Sequence, residues 1–166
     1  MPEISNQAYP FWMRETQLEK IRQILEKIPA RGRVLDVACG PGFLEELITD
    51  KKSIVAIDNN PEYVEKVKSL GVDARVVDAN TLNLVEKFDT IYAIDIIHLL
   101  DAELFFSSVK NIMKQDSILL LSVFCNEQNW EDKADWLKNM VKGFSVEQDF
   151  LVKSKNEWDF CLVLTL

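Results

Sequence analysis

Short apolar runs alternate with amphipathic stretches along the chain, and that alternation admits few architectures. Leu18, Ile21, Leu25 and Ile28 form the apolar stripe of a helix over 13–28, which Pro29 to Gly32 ends. Residues 33–37 read as a buried strand, 43–49 as a helix and 53–57 as the next strand. Asn60 caps a helix with Pro61 at its first position and Gly71 just past its end. Residues 74–77 and 88–94 read as the third and fourth strands, and Asp101 caps a helix running to about Met113. The run SILLLSVF, residues 117–124, is apolar enough for a strand buried on both faces. A helix over 130–142 closes at Gly143. Strands and helices in this order imply a parallel sheet with helices on both faces.

The pattern changes at the end. Residues 144–152 and 158–165 both read as strands, with only KSKNE between them. A parallel crossover needs roughly a dozen residues or more, so these two should form an antiparallel hairpin. The expected fold is α/β: a doubly wound, mostly parallel seven-stranded sheet with a C-terminal antiparallel hairpin strand. With 166 residues the chain reads as one domain, a helical strap over 1–32 and a core over 33–166. No apolar run reaches the roughly 18 residues that span a bilayer. The start, MPEISNQ, lacks a basic region followed by an apolar one, so no signal peptide and a cytoplasmic location are expected. Cys39, Cys125 and Cys161 form no CxxC pair and read as buried, reduced thiols rather than a disulfide frame or a zinc site. The net charge of −8 argues against a general nucleic-acid surface and fits a small-molecule, cationic or protein substrate better.

The chemistry centres on VLDVACGPG, residues 34–42. Glycines at the end of a first strand let the backbone approach a ligand closely. A dinucleotide fingerprint, G-x-G-x-x-G, finds Gly40 and Gly42 but meets Glu45 where its third glycine belongs. A carboxylate there would crowd the helix–strand contact and repel a pyrophosphate. Glu45 and Glu46 read as a solvated helix face.

The turn Asp36, Ala38, Cys39, Gly40, Gly42 resembles that of the class I methyltransferases that use S-adenosylmethionine (SAM), and the resemblance extends over 34–166. In that family the turn passes close to the amino acid and ribose parts of the cofactor. Ala38 replaces the first glycine, and close approach survives if its φ is negative. Pro41 stiffens the turn. The resemblance implies that Asp58, ending the second strand, accepts from the ribose hydroxyls, with Asn59 beside it. It likewise implies that Asp78 and Ala79, in VVDAN, meet the adenine. Asp95, in FDTIYAIDIIHLL, would stand near the transferred methyl. Read singly, the glycines fit an ordinary tight turn, and Asp58 and Asp78 fit a helix-start and a turn carboxylate. It is their order along one chain that is specific.

His98, the only histidine, follows Asp95 by three residues and could orient the acceptor or take its proton, or simply begin the next helix. Tyr9, Phe11 and Trp12 could form an aromatic lid or pack as a strap or dimer contact. Three functions follow: a SAM-dependent methyltransferase with a small-molecule, protein or RNA acceptor; a non-catalytic SAM-binding subunit completed by a partner; and an NAD-dependent oxidoreductase, which Glu45 and the hairpin disfavour.

Overall fold

The computed structural model describes residues 11–155 and 157–166. Helix α1 covers Phe11–Lys27 and strand β1 Val34–Val37. A short helix α2, Phe43–Leu47, leads through a 3-10 turn to β2, Ile54–Asp58. Then come α3 at Pro61–Lys68, β3 at Asp73–Val76 and β4 at Phe88–Ala93. Helix α4, Ala102–Ile112, runs straight into β5, Met113–Cys125. Helix α5, Trp130–Met140, precedes the hairpin of β6, Ser145–Lys153, and β7, Trp158–Thr165. The sheet order is β3-β2-β1-β4-β5-β7-β6. The first five strands pair in parallel, and β7 lies antiparallel between β5 and β6. This is the expected mostly parallel, doubly wound sheet.

The helix starts are chemical. Asn60 Oδ1 accepts from the Glu62 amide at 2.9 Å with Pro61 following, and Asp101 Oδ1 accepts from the Leu104 amide at 3.1 Å. Each cap satisfies an amide that the first helical turn leaves without a partner. Alternate strand residues feed two cores. Val34, Ile54, Ala56 and Tyr92 pack with α1, α2 and α3, whereas Leu35, Val55, Ile57 and Ile91 pack with α4 and α5. In α1 the stripe centres on Ile24, fully buried, with Leu25 at its margin.

One boundary differs from expectation. Strand β5 begins at Met113 rather than Ser117, because Met113 pairs with Phe88 before a bulge and Ile118 pairs with Thr90 after it. The polar residues between ride on that bulge, where the Ser117 hydroxyl donates to the Phe88 carbonyl at 2.5 Å and Lys114 Nζ pairs with Asp89 at 2.6 Å. Alternation cannot be read through a bulge. Among the described residues no helix is long and apolar enough to cross a membrane.

Candidate functional site

The strand order reverses between β1 and β4. In open α/β sheets a crevice forms there, beyond the carboxyl ends of the strands. A cavity of about 380 Å³ occupies this position, and Asp36, Ala38, Cys39, Gly40, Asp58 and Asp95 all line it. Gln17 from α1, Tyr63 from α3, and His98 complete the wall. Gly42, Asn59, Asp78 and Ala79 do not line it. A Cβ on Gly42 would stand 3.0 Å from Val67 and 3.1 Å from Leu70, so this glycine admits α3 against the turn. Asn59 is exposed, Asp78 is exposed and accepts from the Asn80 amide at 2.8 Å, and Ala79 joins the core under α4.

The turn after β1 is tighter than the sequence suggests. Ala38 has φ 59°, Gly40 φ 53° and Gly42 φ 94°, so Ala38 is left-handed and its expected negative φ is corrected. Three alternating left-handed residues swing the chain from β1 into α2 within a few residues, and Ala38 bears the Cβ strain that glycine would not. A Cβ on Gly40 would meet nothing within 4 Å, because that position faces open space. The turn is tied to β2 at two points, and Asp58 is tied to the start of α3 at a third. The Cys39 amide donates to Ile57 O at 2.9 Å, the Gly40 amide to Asp58 Oδ2 at 2.9 Å, and the Asn60 amide to Asp58 Oδ1 at 2.8 Å. Each Asp58 oxygen therefore holds one backbone amide and keeps a lone pair for a ligand hydroxyl.

Beneath the turn lies a group that sequence reasoning misplaced. Glu45 is 0% exposed and not part of a solvated face. Helix α2 has only five residues, and its Phe43, Leu44 and Glu45 all turn inward. Glu46 and Leu47 stay part-exposed, and Glu46 pairs with Arg14. Glu45 Oε2 would stand 3.7 Å from a Cβ on Gly42. Neither Glu45 oxygen receives a hydrogen bond from an N–H or a hydroxyl among the described residues. Its partner is the carboxyl of Asp36, itself 4% exposed. Two carboxylates can bond only if one carries a proton. Burial pushes the Asp36 carboxyl well up, and the neighbouring charges of Glu45 and Asp58 push it further. Burial raises Glu45 as well. Burial also raises the Cys39 thiol, with these same acids adding to the effect.

The end of β4 is built differently. Asp95 is also left-handed, φ 51°, a conformation that aspartate tolerates. Its amide donates to Ser122 Oγ at 3.0 Å, and its Oδ1 accepts from the Phe124 amide at 3.1 Å. His98 sits in the 3-10 turn Ile97–Leu99 with Nδ1 3.7 Å from Asp95 Oδ1. Burial, then the charge of Asp159, raises the Asp95 carboxyl. Behind it the Ser122 hydroxyl donates to Asp159 Oδ2 at 3.0 Å, and Lys20 Nζ donates to Asp159 Oδ1 at 2.7 Å and to Glu157 at 3.2 Å. The chain of bonds thus runs from α1 through β7 and β5 to the cavity.

A family model described as a methyltransferase domain matches residues 29–161. The chain belongs to the methyltransferase domain family. A curated relative of this methyltransferase domain, (S)-coclaurine N-methyltransferase of Papaver somniferum, is 25% identical over 124 residues, 65% of this chain. The match covers 35% of that protein, so the chain spans about a third of its length. The crystal structure of the glycopeptide N-methyltransferase MtfA superposes with a TM-score of 0.74 at 13% identity, covering 90% of this chain and 95% of that one. MtfA has also been solved with S-adenosyl-L-methionine. Coclaurine N-methyltransferase bound to N-methylheliamine and SAH superposes with a TM-score of 0.67 at 19% identity, over 82% of this chain and 51% of that one. At these identities the structures show the shared fold.

Sequence reasoning missed Gln17, Tyr63 and the burial of Glu45. Gln17 falls one residue before the first apolar position of the α1 stripe, the one signal that could have placed it inward. Tyr63 carried no signal in a helix read only by its caps. The aromatic strap of Tyr9, Phe11 and Trp12 lies outside the residues whose side chains are described.

Proposed function

We propose that the chain is a SAM-dependent methyltransferase acting on a small-molecule amine in the cytoplasm, and that the cavity between the ends of β1 and β4 holds the cofactor. One observation carries this reading: Asp58 is fixed by two backbone amides beside left-handed Gly40, whose missing Cβ leaves room for a ligand. A rigid carboxylate with free lone pairs suits a vicinal diol and repels phosphate, as a ribose without a pyrophosphate requires. The donor set therefore fits SAM. Asp36 faces the same cavity and suits a cationic amino acid end. The family resemblance would put Asn59, Asp78 and Ala79 on the adenine side, outside the cavity lining, and Gly42 in the turn.

When bound, the sulfonium supplies an activated methyl group for an in-line displacement. Asp58 and Gly40 would hold the ribose, and Cys39 and Ala38 would pack along it. Asp95, held left-handed by Ser122 and Phe124, would orient the acceptor nitrogen. His98, beside Asp95 at the mouth, would take the proton that the nitrogen loses. Alignment supplies much of such a rate, because the methyl is already activated. A cavity of about 380 Å³ is at the small end of ligand sites, so the acceptor is received at its rim, near His98 and exposed Leu99. The amine assignment draws on the N-methyltransferases among the similar proteins and on the acids that line the cavity. The cytoplasmic reading rests on three buried free thiols.

Calorimetric titration with SAM and with its demethylated product, against NAD as control, tests the reading. Binding of the first two and not of NAD is expected, and binding of NAD alone would overturn it. Asp58→Ala should weaken SAM by about 2–3 kcal/mol, roughly 30- to 150-fold in Kd.

A further inference from the structure

The cavity lining holds three aspartates, and they are not alike. Asp58 holds a backbone amide on each oxygen, and Asp95 holds the Phe124 amide. Asp36 is the most buried of the three, and the group bonded to it is a second acid, Glu45. Glu45 is wholly enclosed, both its oxygens lack any other donor among the described residues, and it points at Asp36 from behind the cavity wall. A fully ionised pair at this place would be two unsolvated like charges.

The surrounding groups offset it only in part: the charge of Lys51 lowers the Glu45 carboxyl, but burial outweighs it. Asp58 on β2 adds negative charge, and the Cys39 thiol and the Tyr92 hydroxyl on β4 stay protonated there. The nearby cation is Lys51, in the turn before β2. Its Nζ donates to the backbone carbonyls of Glu45 and Ile48, the latter at 2.7 Å, and not to either carboxylate. The pair therefore keeps one proton until another cation arrives. Asp36 opens to the cavity, and Glu45 does not.

We propose that Asp36 and Glu45 are a proton-sharing pair that exchanges its proton for the ammonium group of the cofactor's amino acid end, with Asp36 touching that group and Glu45 acting as the positioning residue behind it. This rests on the reading of the cavity as the SAM site. No covalent bond changes. The shared proton leaves to solvent, the pair goes from one negative charge to two, and the incoming ammonium lies against the added charge. Cofactor affinity is consequently linked to pH through a residue that never touches the cofactor. A structural role for Glu45 would give no such linkage.

The test is calorimetry of the whole chain at neutral pH in buffers of different ionisation enthalpy, titrating SAM and, separately, 5′-methylthioadenosine. The latter keeps the ribose and adenine but lacks the amino acid end. SAM should release about one proton and bind about tenfold tighter per pH unit on the acid side of the pair's titration. 5′-Methylthioadenosine should release none. Glu45→Gln should bind SAM without proton release and with a flat pH profile. If Glu45→Gln does not fold, infrared difference spectra of the unaltered chain serve instead: a protonated carboxyl band should disappear when SAM binds and persist with 5′-methylthioadenosine. SAM binding with no proton release and no loss of that band would overturn the pair's role while leaving the cofactor reading intact. Equal release by Glu45→Gln would do the same. Failure of both SAM and its demethylated product to bind would overturn the cofactor reading, and this proposal with it.

Discussion

Glu45 and Asp159 are both carboxyl groups with 0% exposure, yet they sit in opposite circumstances. Asp159 is met by Lys20 at 2.7 Å and by the Ser122 hydroxyl at 3.0 Å, and Lys20 itself is 1% exposed. Asp159 has a fixed cation and a fixed hydroxyl donor, so the group is complete without a ligand. Glu45 meets only another acid. The two lie behind the two halves of one cavity, Asp159 behind Asp95 and Glu45 behind Asp36. On the β4 side the protein has supplied its own cation to hold an aspartate in place. On the β1 side no cation is bonded to either carboxyl, as the proposed exchange for an ammonium group requires. A buried acid is thus a strut or a receptor according to what stands opposite it.

The sharpest way to break this contrast is to remove the strut's cation. Lys20→Met leaves Asp159 buried and unpaired and should cost about 3–5 kcal/mol in denaturant unfolding. A loss below about 1 kcal/mol, the worth of an exposed pair, would make the two acids equivalent after all. At the receptor the expectation has the opposite sign. The folded-state pKa of the acid pair lies above its unfolded value, so folding takes up a proton. That contribution is fully present below the ordinary carboxylate range and is lost as pH rises through the raised folded value. Glu45→Gln removes one like charge, and its unfolding free energy should exceed the unaltered chain's by on the order of 1 kcal/mol at neutral pH, with a shallower pH slope. The smallest effect concerns the turn between them. Ala38→Gly relieves a left-handed alanine at the cost of extra freedom in the unfolded chain, for a net gain of about a few tenths of a kcal/mol in thermal melts.

The fold was legible because its signals are local. The Asn60 and Asp101 caps mark helix starts, and the short KSKNE link marks a hairpin. The sequence of elements and the change to antiparallel pairing could therefore be read, whereas the place of β7 between β5 and β6 could not. Asp36, Gly40, Asp58 and Asp95 were legible as positions at strand ends, where a doubly wound sheet opens its crevice. Other features were not. The inward turn of Glu45 was hidden because α2 is too short to show a periodicity, and glutamates in a helix normally face water. Lys20 was hidden for a different reason: its burial depends on Asp159, distant in sequence and brought near only by the finished sheet. The sign of φ at Ala38 was misjudged because alanine carries no mark of a left-handed turn, whereas glycine does.

The place of β7 has a consequence for the order of assembly. It is the last strand in the chain, yet it lies between β5 and β6 and pairs with both. During synthesis from the amino end, β6 emerges before its partner β7, and the edge of β5 stays open until β7 arrives. Strand β7 also brings Asp159, so α1, made before it, gains the partner of Lys20 only at that moment. Closing the sheet and locking down the first helix become a single late event. The β4 side of the cavity, held through Ser122 and Asp159, takes its shape only when β7 joins the sheet.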